Sequence, residues 1–131
     1  MTKSAFALML KLSGKKIKDK KAERDEKMTE DVIITEKGGK LTALLKCELD
    51  HYTAKRIREK IDPAVFRYRP DVLVLDFSCV RFMDSSGIGL IMGRVEKARM
   101  EGAEVRLVGL SKSIRKLVLL SGLNKIDGLR I

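Results

Sequence analysis

The period of apolar and polar positions changes several times between Asp31 and Ile131, and each change marks an element. "DVIITEKGGKLTALLKCELD" is two β-rich runs around Gly38-Gly39, a pattern that predicts a hairpin, because paired glycines supply the positive φ angles of a tight turn. In "DHYTAKRIREKIDPAVF", Ile57, Ile61 and Val65 recur four apart, the apolar stripe of an amphipathic helix, with Thr53 as its candidate cap. Pro63 lies inside that helix and is expected to kink or divide it. "DVLVLDFS" follows, near-continuously apolar, as befits a strand buried on both faces.

In "RFMDSSGIGLIMGR" and beyond, Ile88, Ile91, Val95 and Ala98 recur at three- and four-residue intervals, which predicts a helix from about Ser86 to Met100, stopped by Gly102. "AEVRLVGL" reads as a short strand. "SKSIRKLVLLSG" reads as a helix with Ser111 or Ser113 as cap, Ile114, Leu117 and Val118 on one face and Gly122 at its end. "DGLRI" reads as an edge strand. Strands alternating with helices after an opening hairpin give an α/β fold: a single domain, a mixed β-sheet and helices packed on that sheet.

A chain of 131 residues holds one ordinary core. Its 44% hydrophobic content is that of a globular protein, and no apolar run approaches the roughly 20 residues that span a bilayer. A soluble, cytoplasmic protein is expected. Cys47 and Cys79 each fall in a run read as a strand, without a CxxC or a zinc-like cluster, and are expected to be reduced core thiols.

The formal net charge of +10 invites a nucleic-acid reading. In the body, however, cations alternate with acids along helices, as in "TAKRIREKID", which is the pattern of a solvated face. The charge is densest in residues 1–27, nine Lys/Arg against four Asp/Glu. This basic leader lacks the unbroken apolar stretch and the cleavage site of a signal peptide. It reads as a disordered segment, a short helix on an anionic membrane surface, or a mis-assigned start with synthesis beginning at Met28.

The paired serines Ser85 and Ser86 admit three uses. Either is a good N-cap, with Gly87 and Gly89 allowing close backbone approach. A hydrolase nucleophile lacks its base, since the sole histidine is His51 and S-S-G-I-G is not the G-x-S-x-G elbow. A dinucleotide site lacks the tight strand-to-helix turn. As a phosphoacceptor, a hydroxyl at a helix N-terminus has better chemistry: its phosphate meets free N–H groups and the positive end of the helix dipole, and places about −1.5 to −2 charges beside Asp84.

"VLVLDFSCVRFMDSSGIGLIMGRVEKARMEGAEVRLVGLSKSIRKLVLLSGLNKI" closely resembles the STAS domain of bacterial anti-sigma factor antagonists, which control sporulation and stress sigma factors. The specific parts are "FMDSSGIGLIMGR", "CELDHYTA" before the first helix, and the late "VLLSGLNKI". The resemblance implies a STAS domain over residues 28–131. It implies that Ser85, the first serine of D-S-S-G, is phosphorylated by an anti-sigma factor that is itself an ATP-using serine kinase. Unphosphorylated antagonist would bind that anti-sigma factor and free the sigma factor, phosphorylation would block binding, and a PP2C-type phosphatase would reset the switch.

Family docking surfaces surround the phosphoacceptor loop and the loop before the first helix. They map here to Met83, Asp84, Ser86 and Gly87, and to Asp50 and His51, with Arg94 as a further candidate. The resemblance implies a phosphoprotein of transcription regulation, not an enzyme, with no cofactor or metal and no direct contact with nucleic acid or membrane. The alternative is a STAS scaffold or partner-binding subunit of a signalling or lipid-transport complex without sigma control. Three features depart from the family pattern: Cys47 in place of glycine, the lysine-rich leader, and a chain stopping at Ile131 where relatives often add a final helix, which is expected to leave an apolar sheet face for a partner.

Overall fold

The hairpin forms where two glycines permit it. In the computed structural model, which describes residues 31–131, β1 (Val32–Lys37) pairs antiparallel with β2 (Lys40–Leu45). Gly38 and Gly39 between them have φ of +56° and +82°, in the left-handed region that suits a two-residue turn between twisted strands. The chain continues through α1 (His51–Tyr68), β3 (Val72–Asp76), α2 (Ser85–Met100), β4 (Glu104–Val108), α3 (Lys112–Leu120), a 3₁₀ turn (Leu123–Lys125) and β5 (Leu129–Arg130).

The sheet order is β1-β2-β3-β4-β5, with every pair after the hairpin parallel. Each parallel step passes through a helix and advances in the same direction, so right-handed crossovers bring all three helices to one face. On that face Leu41, Ala43 and Leu45 of β2, Leu73 and Leu75 of β3, and Val105 and Leu107 of β4 meet the buried helix residues. Those are Ile57, Ile61 and Val65 of α1, Ile91 and Val95 of α2, and Ile114 and Val118 of α3, all in one core. Val74 points to the opposite face and is also buried, with Ile33 and Leu44 half-buried on that side. The continuous apolar run of β3 is thus buried on both faces, as its sequence predicts.

Pro63 neither divides α1 nor ends it, and the helix runs 18 residues through it. Pro63 is on the exposed side, where water can reach the carbonyl left without its N–H partner. The two cysteines lie outside the strands assigned to them. β3 stops at Asp76 because the Asp76 Oδ1 accepts the Ser78 N–H at 2.9 Å and turns the chain, which leaves Cys79 exposed in the turn. Cys47 follows the end of β2, half-buried, its Sγ donating to the Asp31 carbonyl at 3.8 Å. Burial and the neighbouring Asp31 push its thiol up to about 11.

No helix among the described residues is long and apolar enough to cross a membrane. The expectations for the leader, residues 1–27, lie outside the described residues.

Candidate phosphoacceptor and docking site

Two loops at the C-terminal ends of adjacent parallel strands build the site. The loop after β2 and the loop after β3 run side by side, joined by Leu49 N–H to the Phe82 carbonyl at 3.0 Å and by Asp84 N–H to the Leu49 carbonyl at 3.1 Å. These bonds form a short parallel bridge between Leu49 and Met83. Both side chains are buried, Leu49 fully and Met83 to 5% exposure, so the bridge is pinned to the core. Each loop ends in an aspartate that opens a helix, and the starts of α1 and α2 are therefore neighbours.

Asp50 caps α1. Its Oδ1 accepts the N–H groups of Tyr52 at 2.9 Å and Thr53 at 3.0 Å, while the Asp50 N–H donates to Thr53 Oγ1 at 2.9 Å. This is a reciprocal capping box, with Thr53 as its far member rather than the cap expected from sequence. The Thr53 and Tyr52 N–H groups, Thr53 foremost, hold the Asp50 carboxyl below the usual carboxylate range. His51, exposed in the first turn, stands edge-on to Tyr52 at 5.5 Å between ring centres.

Asp84 caps α2, a role the sequence reading gave to one of the serines. Its Oδ1 accepts the Ser86 N–H at 2.7 Å, and its carbonyl accepts the Gly87 N–H at 2.9 Å. Relieved of capping, Ser85 occupies the first helical position, exposed, and its hydroxyl makes no hydrogen bond to any described residue. Ser86 is half-buried. Phe82, just before the cap, is 52% exposed, and Tyr52 across the bridge is 73% exposed.

Of the docking residues expected from sequence, Asp50, His51, Asp84 and Ser86 reach this surface, whereas Met83 and Gly87 lie beneath it. A Cβ on Gly87 would run into the Met83 side chain and approach the Leu49 Cβ to 3.4 Å, so this glycine is the one that permits close packing. Gly89 is not: a Cβ there meets nothing within 4 Å. Arg94 offers that surface no free charge. It is 3% exposed, with Nε 2.8 Å from Asp62 Oδ1 and Nη2 donating to Asp62 Oδ2 at 3.0 Å. Burial lowers its pKa and Asp62 opposes that shift, so the pair acts as a clamp between α1 and α2.

The sequence reading missed the exposed aromatics Tyr52 and Phe82. Their signal was available, since each is an aromatic side chain two residues from a capping aspartate, where the backbone is turning and no core position is open.

Comparison with known proteins agrees with this geometry. The model of the family described as the STAS domain matches residues 32–130. The anti-sigma F factor antagonist of Paenibacillus polymyxa is 36% identical over 88 residues, which cover 67% of this chain and 75% of that protein. The structure of the anti-sigma factor antagonist SpoIIAA in its unphosphorylated form superimposes with a TM-score of 0.60 at 26% identity, covering 76% of this chain and 86% of that one. The phosphorylated form of the Bacillus cell fate determinant SpoIIAA also gives 0.60, at 28% identity, covering 76% and 90%. The chain belongs to the STAS domain family, among the anti-sigma factor antagonists.

Proposed function

We propose that this protein binds an anti-sigma factor through the surface around the starts of α1 and α2, and that phosphorylation of Ser85 ends the binding. The kinase is the anti-sigma factor itself, using ATP, and a PP2C-type phosphatase restores the serine. The domain is then a kinase substrate and not an enzyme, acting in the cytoplasm where sigma factors are sequestered and released. The observation that carries this reading is the Ser85 hydroxyl: exposed, without a hydrogen bond among the described residues, and at the first position of a helix whose capping is done by another residue. A kinase can reach such a hydroxyl without breaking any hydrogen bond, and its phosphorylation leaves the cap in place.

The same geometry supports an electrostatic form of switching. The Ser86 and Gly87 N–H groups are already taken by Asp84, so a phosphate on Ser85 finds fewer free donors than an empty helix start offers. Its charge of about −1.5 to −2 adds to that of the neighbouring Asp84 carboxylate and makes the local surface strongly negative. The test is an intact-mass and phosphopeptide map of the protein from its own cells in growth and in starvation. Phosphate on Ser85 in one state alone is the expected result; an unmodified Ser85 in both removes the switch and favours the scaffold reading.

A further inference from the structure

A groove of about 360 Å³ lies between the N-terminal halves of α1 and α2. Lys55 and Arg58 line it from α1, Ser86, Gly89 and Gly93 from α2, and Arg94 contributes to its wall; no acidic residue lines it. Arg94 has its counter-charge in Asp62. Lys55 and Arg58 have none: both are exposed, and neither makes a hydrogen bond or ion pair among the described residues. The charge of Arg58 is also felt at Arg94, whose pKa it helps to lower.

The opposite wall is bare. Gly89 and Gly93 are one helical turn apart, and a Cβ on either meets nothing within 4 Å, so the groove has room for another chain's side chains. We infer that this groove receives an acidic segment of the anti-sigma factor, and that a phosphate on Ser85 competes with that segment for Lys55 and Arg58. The inference rests on the docking surface proposed above. Charge complementarity selects the occupant: two uncompensated cations beside a smooth wall suit a pair of carboxylates on a helix or strand. A polynucleotide backbone needs a longer row of cations to gain affinity. Ser86 belongs to the groove and Ser85 is the next residue, so the phosphate is added at the groove's rim, where the helix donors are already used by Asp84.

The test is an NMR titration of the isotope-labelled full chain with a short helical peptide of repeated Glu-Ala-Ala-Ala-Glu units. The expected amide shifts are confined to residues 51–58 and 86–94 and shrink as salt is raised. Affinity should fall about tenfold or more in the Lys55→Glu, Arg58→Glu variant and fall also in Ser85→Asp, while Lys112→Glu, Lys116→Glu on exposed α3 leaves it unchanged. Shifts of equal size on α3, or an unaltered affinity after reversal of Lys55 and Arg58, overturn the inference. Capture of the anti-sigma factor separates the two readings. If Ser85→Asp weakens capture and the double charge reversal does not, the groove inference fails and the docking surface stands; if neither weakens it, both fail.

Discussion

The starts of α1 and α2 are built from the same opening, an aspartate followed by two residues and a turn, yet they end up in different states. At α1 the aspartate and the threonine three residues on satisfy each other, and Thr53 Oγ1 also donates to the Glu48 carbonyl at 2.7 Å. At α2 the aspartate makes one side-chain bond, to the Ser86 N–H, and Gly87 stands where the reciprocal partner would be. One terminus uses its hydroxyl for structure and the other leaves a hydroxyl for chemistry. A serine is thus available for modification because its neighbour, and not the serine, holds the helix.

The largest contrast is in phosphate uptake. Ser85→Ala should abolish incorporation measured by intact mass after incubation with the anti-sigma kinase and ATP, whereas Thr53→Ala, at the other terminus, should leave it unchanged while lowering stability. Next is the clamp that keeps the two termini adjacent. Asp62→Ala strands the buried Arg94 guanidinium and should cost about 3 kcal/mol in urea unfolding, while adding Arg94→Met should recover most of that loss.

The caps come third. Asp84→Ala should cost about 1 kcal/mol and Asp84→Asn only a few tenths, because asparagine caps nearly as well. Asp50→Ala should cost more than Asp84→Ala, since it frees two N–H groups and breaks the box. Asp50 also predicts an acid response. Its folded pKa is depressed, so its contribution is fully present above its ordinary value of 3.8 and is lost as pH falls through the lower folded value. Asp50→Asn should flatten that part of the stability curve.

The smallest effects separate two glycines of one helix. Gly89→Ala fills open space with a better helix former and should stabilise by about 0.5–1 kcal/mol. Gly87→Ala must push Met83 aside, and should lower the melting temperature.

Much of the fold was legible because its signals are local. Gly38-Gly39 announced the hairpin, the four-residue spacing of Ile57, Ile61 and Val65 announced α1, and the unbroken run of β3 announced its two-sided burial. Legibility ended where a polar side chain overrode the apolar pattern. "DVLVLDFSCV" reads through to Cys79, but Asp76 turns the chain by accepting the Ser78 N–H. Asp50, His51, Asp84, Ser85 and Ser86, read together from the sequence, do lie together at the starts of α1 and α2, while the assignment of caps to hydroxyls was one or two residues late at α2 and three at α1. Met83 and Arg94 escaped because a lone apolar residue in a loop and an arginine on a helix read as surface until their partners, Leu49 and Asp62, are in position.

The bridge between Leu49 and Met83 bears on how quickly such a protein could be re-used. It fixes both loops to the core, and the fold superimposes equally on the phosphorylated and unphosphorylated relatives, at a TM-score of 0.60 for each. Under the function proposed above, a surface held in this way would take a phosphate on Ser85 as a coin takes a stamp, without first rebuilding its loops. The pace of such a cycle would then be set by the proposed kinase and phosphatase, and the memory of the cell's last decision would last as long as one ester bond.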